Sequence, residues 1–397
     1  MKFVRGLLNG LPSPRPSPAL AGEGEENPRP RQRERVASIA SRVRALGVGL
    51  LAALAASAAA ADPAADFYAG KRLTIVVGYG VGGGYDQYAR LFAHYLPDHL
   101  PGKPTVIVDN MPGAGSRRAA NWLYNAAPKD GTVIASLGQN TPTDQALDAQ
   151  GIQFDVRRLN WIGNMLIGNN TLAVWHTTGV RTIADATRKE IAIGATGANS
   201  TSVLYPQVAN NMLGTKFKII SGYRGGGDIN LAMERGEVQG RGSNAWASWK
   251  SIKPDWVREG KINILFQIGL KREPDLAEVP LLAELAGDED KRAVLRLISG
   301  EVAMGRPIVA PPGVPDARIA ALRKAFDETV ADPRFVAEAE QRKMDLSPIG
   351  GAELQQIAGG IVGASPHTIA RMKQAITVKD VKALPADQRK GRAETSE

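Results

Sequence analysis

The chain has no cysteine among its 397 residues, which excludes a disulfide framework, a thiolate nucleophile and any thiolate-bound metal. Histidine is scarce too. The four present (His94, His99, His176 and His367) form no pair at HxxxH spacing, and no HExxH occurs, so no metal site is expected. Gly70-Lys71, Gly102-Lys103 and Gly260-Lys261 lack the upstream glycine of a P-loop, and no G-x-S-x-G elbow is present. Carboxylates such as Asp288 and Asp290 sit in charged runs that read as solvated. There is no basic stripe and no stacked-aromatic module: residues 1–61 hold nine Lys/Arg and four Glu of the formal +9, and the remaining charge is dispersed. Nucleic acid is therefore not an expected partner. No repeat of solenoid length is visible.

Residues 45–61 (ALGVGLLAALAASAAAA) follow Arg42 and Arg44 and give way at once to Asp62-Pro63. A basic flank, an apolar stretch and small residues at the end make a secretory signal peptide, expected over about 36–61 with cleavage near 59–61. The Pro/Gly-rich residues 11–26 make its basic region too long, which suggests a translation start downstream, near Val36. The protein is accordingly expected outside the cytoplasm.

Beyond residue 70, apolar runs alternate with amphipathic segments. Residues 73–78, 105–108 and 132–137 read as buried parallel strands, separated by helices that carry Tyr88, Leu91, Phe92, Tyr95 and Leu96, then Ala119, Trp122, Leu123 and Ala126. The first of these helices is expected to stop near Pro97. A second unit starts around Thr171, with strands at 191–194, 217–220, 238–240 and 262–267 and helices at about 200–213 and 226–235. A strand returns at 306–310, and helices follow at 316–330, 333–344, 352–362 and 366–376. This order predicts an α/β protein with two doubly wound, mostly parallel sheets. The expected domains are 66–170 plus 300–380 and 171–299, with hinge crossings near 167–171 and 300–306 and a loose polar tail at 381–397.

Glycine is abundant, at 43 residues, and it concentrates where strands end and helices begin: 78–86 (GYGVGGGYD), 110–116 (NMPGAGS), 194–202 (GATGANSTS) and 222–228 (GYRGGGD). Such loops turn main-chain N–H groups toward one point beside a helix N-terminus, which favours an anion. Gly78, Gly80 and Gly83 also spell G-x-G-x-x-G, with Asp109 ending the next strand, so a dinucleotide-binding oxidoreductase is a competing reading. The export signal and the absence of a proton-transfer pair weigh against it. No cofactor is expected.

At these loops the sequence resembles the Bug-type receptors of tripartite tricarboxylate transporters. The family's V-P-F-x-x-G-G-x-[ST]-D stretch is met by residues 77–86 (VGYGVGGGYD) followed by Ala89-Arg90-Leu91, N-x-P-G-A-G by residues 110–115, and A-P-x-D-G by residues 127–131. The likeness continues through Gly194-Ala195-Thr196-Gly197, Gly222-Tyr223-Arg224-Gly225 and Ala310-Pro311-Pro312-Gly313, and so spans about 70–376. It implies a periplasmic, type II-like solute-binding protein that closes two domains on a small carboxylate, held by main-chain amides and bridging waters. No enzymatic activity is implied.

Carried over by position, ligand contacts would come from Tyr79, Val81, Gly82, Gly83 and Asp86, then from Gln139, Asn140 and Thr141. The second domain would add Thr196, Asn199, Ser200, Ser202, Tyr223, Gly225 and Asn244, while Asp86 could instead cap its helix. The implied partners are a small organic acid and the membrane subunits of a secondary transporter, with the receptor a monomer; a receptor serving a two-component sensor is the alternative. Gly78 and Gly80 stand where relatives carry proline, Tyr85 replaces Ser/Thr, and Arg241 opens a segment where many relatives are acidic or aromatic, so ligand identity stays open.

Overall fold

The computed structural model describes residues 63–198, 200–377 and 381–383. The expected signal peptide and Asn199 lie outside them. The described residues form one compact unit built on two six-stranded sheets.

The first sheet contains β1 (Arg72–Val77), β2 (Thr105–Asn110), β3 (Val133–Ser136) and β4 (Asn160–Asn164). Late in the chain it gains β10 (Pro307–Ala310) and β11 (Ile349–Gly350), in the order β11-β4-β10-β3-β1-β2. The second contains β5 (Asn170–Trp175), β6 (Ile191–Ala195), β7 (Phe217–Ser221), β8 (Gly240–Ala245), β9 (Ile262–Ile268) and β12 (Val381–Ala383), in the order β12-β7-β6-β8-β5-β9.

Strands joined by a helix pair in parallel, as β1 does with β2 and β3, and β6 with β7 and β8. Strands next to a crossing between the sheets run antiparallel: β10 with β3 and β4, and β5 with β8 and β9. The sheets are therefore mixed. The last crossing is different, because β12 enters the second sheet parallel to β7.

Each sheet is covered on both faces. Helix Gly84–His99 lays Tyr88, Leu91, Phe92 and Leu96 on one face of the first sheet, and Phe92 meets Phe326 of helix Asp316–Ala331 with ring centroids 5.5 Å apart. Gly163 of β4 makes room for that phenyl ring, because a Cβ there would overlap Phe326. Trp161, Leu123, Leu354 and Ala358 fill the opposite face. The second sheet buries Leu172, Ile193, Tyr205, Phe266 and Leu295 on one side and Trp249, Trp256 and Met233 on the other.

Three details depart from the sequence reading. Helix Gly84–His99 runs through Pro97; so close to the end, the ring costs a single intrahelical bond and the last turn survives. Strand β8 begins where a strand at 238–240 was expected to end, and its sequence GRGSNA is buried at every position although only Ala245 is apolar. The C-terminal helix, Pro366–Ile376, packs Met372 and Ala375 into the second core rather than the first. Asn211 of the second lobe donates to the carbonyls of Ala375 (2.9 Å) and Thr377 (3.0 Å), and β12 pairs with β7 inside the stretch expected to be a loose tail. Amphipathic spacing told that this helix has a face to bury but could not tell which lobe would cover it.

The chain thus crosses between the lobes three times. Asn164 ties two of the crossings together: its amide donates to the carbonyls of Leu166 (2.8 Å) and Ala303 (3.0 Å), and its carbonyl accepts from the Arg306 N–H (2.6 Å).

Candidate functional site

Three strand-to-helix transitions point into the space between the sheets. Helices Gly84–His99, Thr201–Leu213 and Gly226–Glu234 start there, and none of their N-caps (Gly83, Ser200 and Gly225) closes its helix with a side-chain bond. Their first-turn amides keep a partial positive charge directed at the cleft.

The loops that carry these helices touch one another through main chain. The Gly80 N–H donates to the Arg224 carbonyl across the cleft at 3.1 Å. A Cβ on Gly225 would come 3.0 Å from the Gly80 nitrogen, one on Gly83 3.3 Å from the Gly226 nitrogen, and one on Gly227 3.1 Å from the Val81 carbonyl. A Cβ on Gly197 would overlap the main chain of Ala114 and Gly115. Glycine faces glycine because any side chain would hold the lobes apart. The amide of Gly80, which a dinucleotide pyrophosphate would require, is already taken by Arg224.

Behind this contact lies a cavity of about 50 Å³ bounded by both lobes. Tyr79, Gly83, Gln139, Thr196, Ser202 and Asn244, all expected from the sequence, line it. Tyr79 stacks on Tyr85 at 4.5 Å; burial raises the Tyr79 phenol well above its ordinary range and raises that of Tyr85 against the opposing charge of Arg306. The Gln139 side chain spans the lobes, donating to Tyr205 Oη and accepting from Asn170 Nδ2, each at 3.1 Å. Ser202 Oγ accepts from the Thr196 N–H at 3.0 Å. Asn244 Nδ2 is buried without a partner among the described residues.

Other expected contacts lie elsewhere. Val81 is 62% exposed and Gly82 is exposed. Asp86 is consumed by its own loop, accepting from the Gly82 N–H, Arg90 Nε and Asn110 Nδ2, each at 3.0 Å. Of its two roles, holding the loop is the one the geometry fits. Asn140 bonds Asp144 (3.1 Å), Thr141 Oγ1 donates to the Gly138 carbonyl (2.7 Å), and Ser200 Oγ donates to the Gly197 carbonyl (2.9 Å). Tyr223 is part of the second core, and Gly225 belongs to the closing contact.

Sequence reasoning missed the charged walls. Arg241 of β8 and Arg306, one residue before β10, line the cavity from opposite lobes and are 7% and 3% exposed. Arg241 donates Nε to the Ser243 carbonyl (3.1 Å) and Nη1 to Asn230 Oδ1 (3.0 Å) and the Gly226 carbonyl (3.4 Å). Its guanidinium lies 5.4 Å from the Trp249 ring. Arg306 donates Nη1 to the Gly305 carbonyl (2.8 Å) and Nη2 to Ser248 Oγ (2.9 Å), and its guanidinium packs 4.3 Å from the Tyr85 ring. Burial, then the charge of Arg306, brings Arg241 down to about 9. A signal was available: Arg241 and Arg306 each sit beside glycine or proline in otherwise apolar or small surroundings, where a solvated charge is out of place.

Two carboxyls are buried nearby. Burial pushes Glu301, on the second crossing, up to about 7 against the opposing pull of the Tyr205 and Thr143 hydroxyls. Burial likewise pushes Asp144 up to about 7 although Arg117 lies 3.6 Å away. Glu301 keeps its proton in the folded protein well above its ordinary 4.5, so its contribution to stability is complete below that value and is lost as pH rises toward about 7. Thermal unfolding of Glu301→Gln between pH 4 and pH 8 should show a flatter profile and a melting temperature roughly 3–6 °C above wild type at pH 8. A parallel profile would mean that the carboxyl is hydrated in the folded state.

Among the described residues no helix is long and apolar enough to cross a membrane, and no group of three or more His, Asp or Glu side chains could hold a metal. The model of the tripartite tricarboxylate transporter family receptor matches residues 89–371. The chain belongs to that family. A UPF0065 protein from the gbd 5′ region of Cupriavidus necator is 28% identical over 311 residues, covering 76% of this chain and 87% of its own length. The periplasmic binding protein BugD superposes with a TM-score of 0.62 at 19% identity, over 77% of this chain and 97% of that one. MatC from Rhodopseudomonas palustris, solved with malate, gives 0.60 at 17% identity over 77% and 99%. An R. palustris protein solved with adipate gives 0.60 at 20% identity over 79% and 99%. These likenesses show a shared two-lobed fold, and the family is one of solute-binding receptors.

Proposed function

We propose that this receptor is exported by its N-terminal segment and captures a small organic carboxylate between its lobes for delivery to the membrane subunits of a transporter. The observation that carries the reading is the cleft itself: main chain closing on main chain over a cavity walled by helix N-termini, hydroxyls, amides and two guanidiniums. A carboxylate satisfies all of these, and it is the ligand class solved with the two R. palustris relatives. The ligand would touch Tyr79, Gly83, Gln139, Thr196, Ser202 and Asn244, with Tyr85, Ser243, Arg241 and Arg306 added to the set expected from sequence. The lobes would part by bending at the three crossings, near residues 167–171 and 300–306 and between residues 362 and 366, with the receptor acting as a monomer.

A thermal-shift screen of residues 62–397 against mono-, di- and tricarboxylates, amino acids and nicotinamide dinucleotides tests this. Saturable stabilisation by one carboxylate class, growing with concentration as linkage requires, is the expected result. Stabilisation by a dinucleotide alone would overturn it.

A further inference from the structure

Glu301 sits on the second crossing between the lobes and is 3% exposed. Both of its carboxyl oxygens are buried, and neither completes a hydrogen bond of good geometry among the described residues. The Thr143 hydroxyl, from helix Thr141–Ala146 of the first lobe, faces the carboxyl on one side. The Tyr205 hydroxyl, from helix Thr201–Leu213 of the second lobe, faces it on the other. The meeting of the lobes is thus what encloses this group. An ionised carboxylate there would be a buried charge without a counterion, far costlier than the neutral acid.

No cation among the described residues offsets that cost. The other titratable groups that act on Glu301 are Tyr79, Tyr85 and Asp144 of the first lobe and Tyr205 of the second. Arg306, further along the same crossing, gives its guanidinium to the Gly305 carbonyl, Ser248 and the Tyr85 ring. Helices Glu289–Ser299 and Gly351–Val362 also pack on this crossing, and their charged residues are exposed apart from the half-buried Arg292.

Glu301 reaches the ligand cavity through one intermediary. Tyr205 Oη accepts from Gln139 Nε2 at 3.1 Å, which leaves its own proton free to turn toward Glu301, and Gln139 lines the cavity. When the lobes part, Thr143 and Tyr205 separate and water takes their place around the carboxyl.

Building on the receptor reading above, we infer that Glu301 is a positioning residue that links capture to pH: closing the lobes takes up one proton from solvent on its carboxyl, and opening returns it. The closed receptor holds the neutral acid, whereas the hydrated carboxyl of the open form ionises in its ordinary range. Capture is therefore strongest below the ordinary 4.5 and weakens as pH rises toward about 7. Between these limits affinity falls by up to about tenfold per pH unit.

Calorimetric titration of wild type and Glu301→Gln with malate, adipate, citrate and benzoate, at pH 5.5 and 7.5, tests this. For any one acid, dividing the Kd of the variant by that of wild type cancels the acid's own ionisation. This ratio should fall at least about 10-fold from the lower pH to the higher. Titrations at pH 6.5 in phosphate and in imidazole, whose ionisation enthalpies differ, count protons directly. Wild type should take up roughly three-quarters of a proton more than the variant. A merely structural role for Glu301 would leave both readouts unmoved. A flat ratio with equal uptake, or an uptake abolished by Asp144→Asn and not by Glu301→Gln, overturns the inference and leaves the receptor reading intact. Failure of every acid to bind overturns both. Should Glu301→Gln not fold, uptake that persists undiminished in Asp144→Asn supports the assignment to Glu301, and its loss there overturns it.

Discussion

Replacing Gly197 by valine should lower ligand affinity at least 100-fold, about 2.7 kcal/mol, while the melting temperature of the ligand-free protein moves by no more than a few degrees. The separation of the two effects follows from where the new side chain would go. Gly197 has no left-handed backbone requirement, so valine does not strain its own loop. The three atoms nearest its Cβ, at 2.2–2.8 Å, all belong to the main chain of Ala114 and Gly115 on the opposite lobe. Main chain cannot rotate aside as a side chain can, so the closed form is blocked and the open form is untouched. Titration with the acid that stabilises wild type best reads the affinity. Small-angle scattering with and without that acid reads the compaction, which should vanish in the variant. Wild-type affinity in Gly197→Val would show that the lobes close along a different surface.

Trp249→Ala should cost 3–5 kcal/mol of folding free energy, roughly the range of large aromatic truncations in a packed core. Trp249 is fully buried, donates Nε1 to Thr171 Oγ1 at 3.0 Å, and packs beside Trp256 with ring centroids 5.9 Å apart. It also packs against the Arg241 guanidinium in the cavity wall, so ligand affinity should fall with stability. Trp249→Phe keeps an aromatic surface and loses the donor, and it should cost roughly 1–2 kcal/mol by leaving the Thr171 hydroxyl short of a partner. Urea unfolding followed by circular dichroism reads both, with a shifted midpoint and an unchanged slope. A loss under about 1 kcal/mol for the alanine variant would mean that the surrounding tryptophans collapse into the space.

The parts of this molecule that follow hydrophobic patterning were legible in the sequence. Strands such as β1 and β6 are short β-branched runs flanked by glycine, and helix Gly84–His99 carries its apolar residues at 3/4 spacing. The glycine loops were legible as turns between strand and helix, and the structure sets three of those helix starts at the cleft. Their second role, pressing one lobe against the other, was not, because contact between distant glycines leaves no local trace. Strand β8 was misplaced for a related reason: burial by glycine and hydrogen-bonded polar groups produces no apolar run to detect. The same strand hides Arg241. Its glycine neighbours hinted that the charge is not solvated, but only the fold brings it to the cavity wall. Asp86 read equally as a ligand contact or as a residue serving its own helix, and three donors from its own surroundings occupy its carboxylate.

The meeting of glycine on glycine has a consequence for how such receptors diversify. The surface that closes is written in main chain, at Gly80, Gly83, Gly197 and Gly225, whereas the cavity wall is written in side chains, at Tyr85, Thr196, Arg241 and Arg306. Substitutions in the wall can retune which molecule is held without disturbing the fit of the lobes, and the shape that the closed receptor presents outward can stay the same for different cargo. Selection can then act on diet and on docking separately, which would let one closing design serve many copies of a receptor, each with its own substrate.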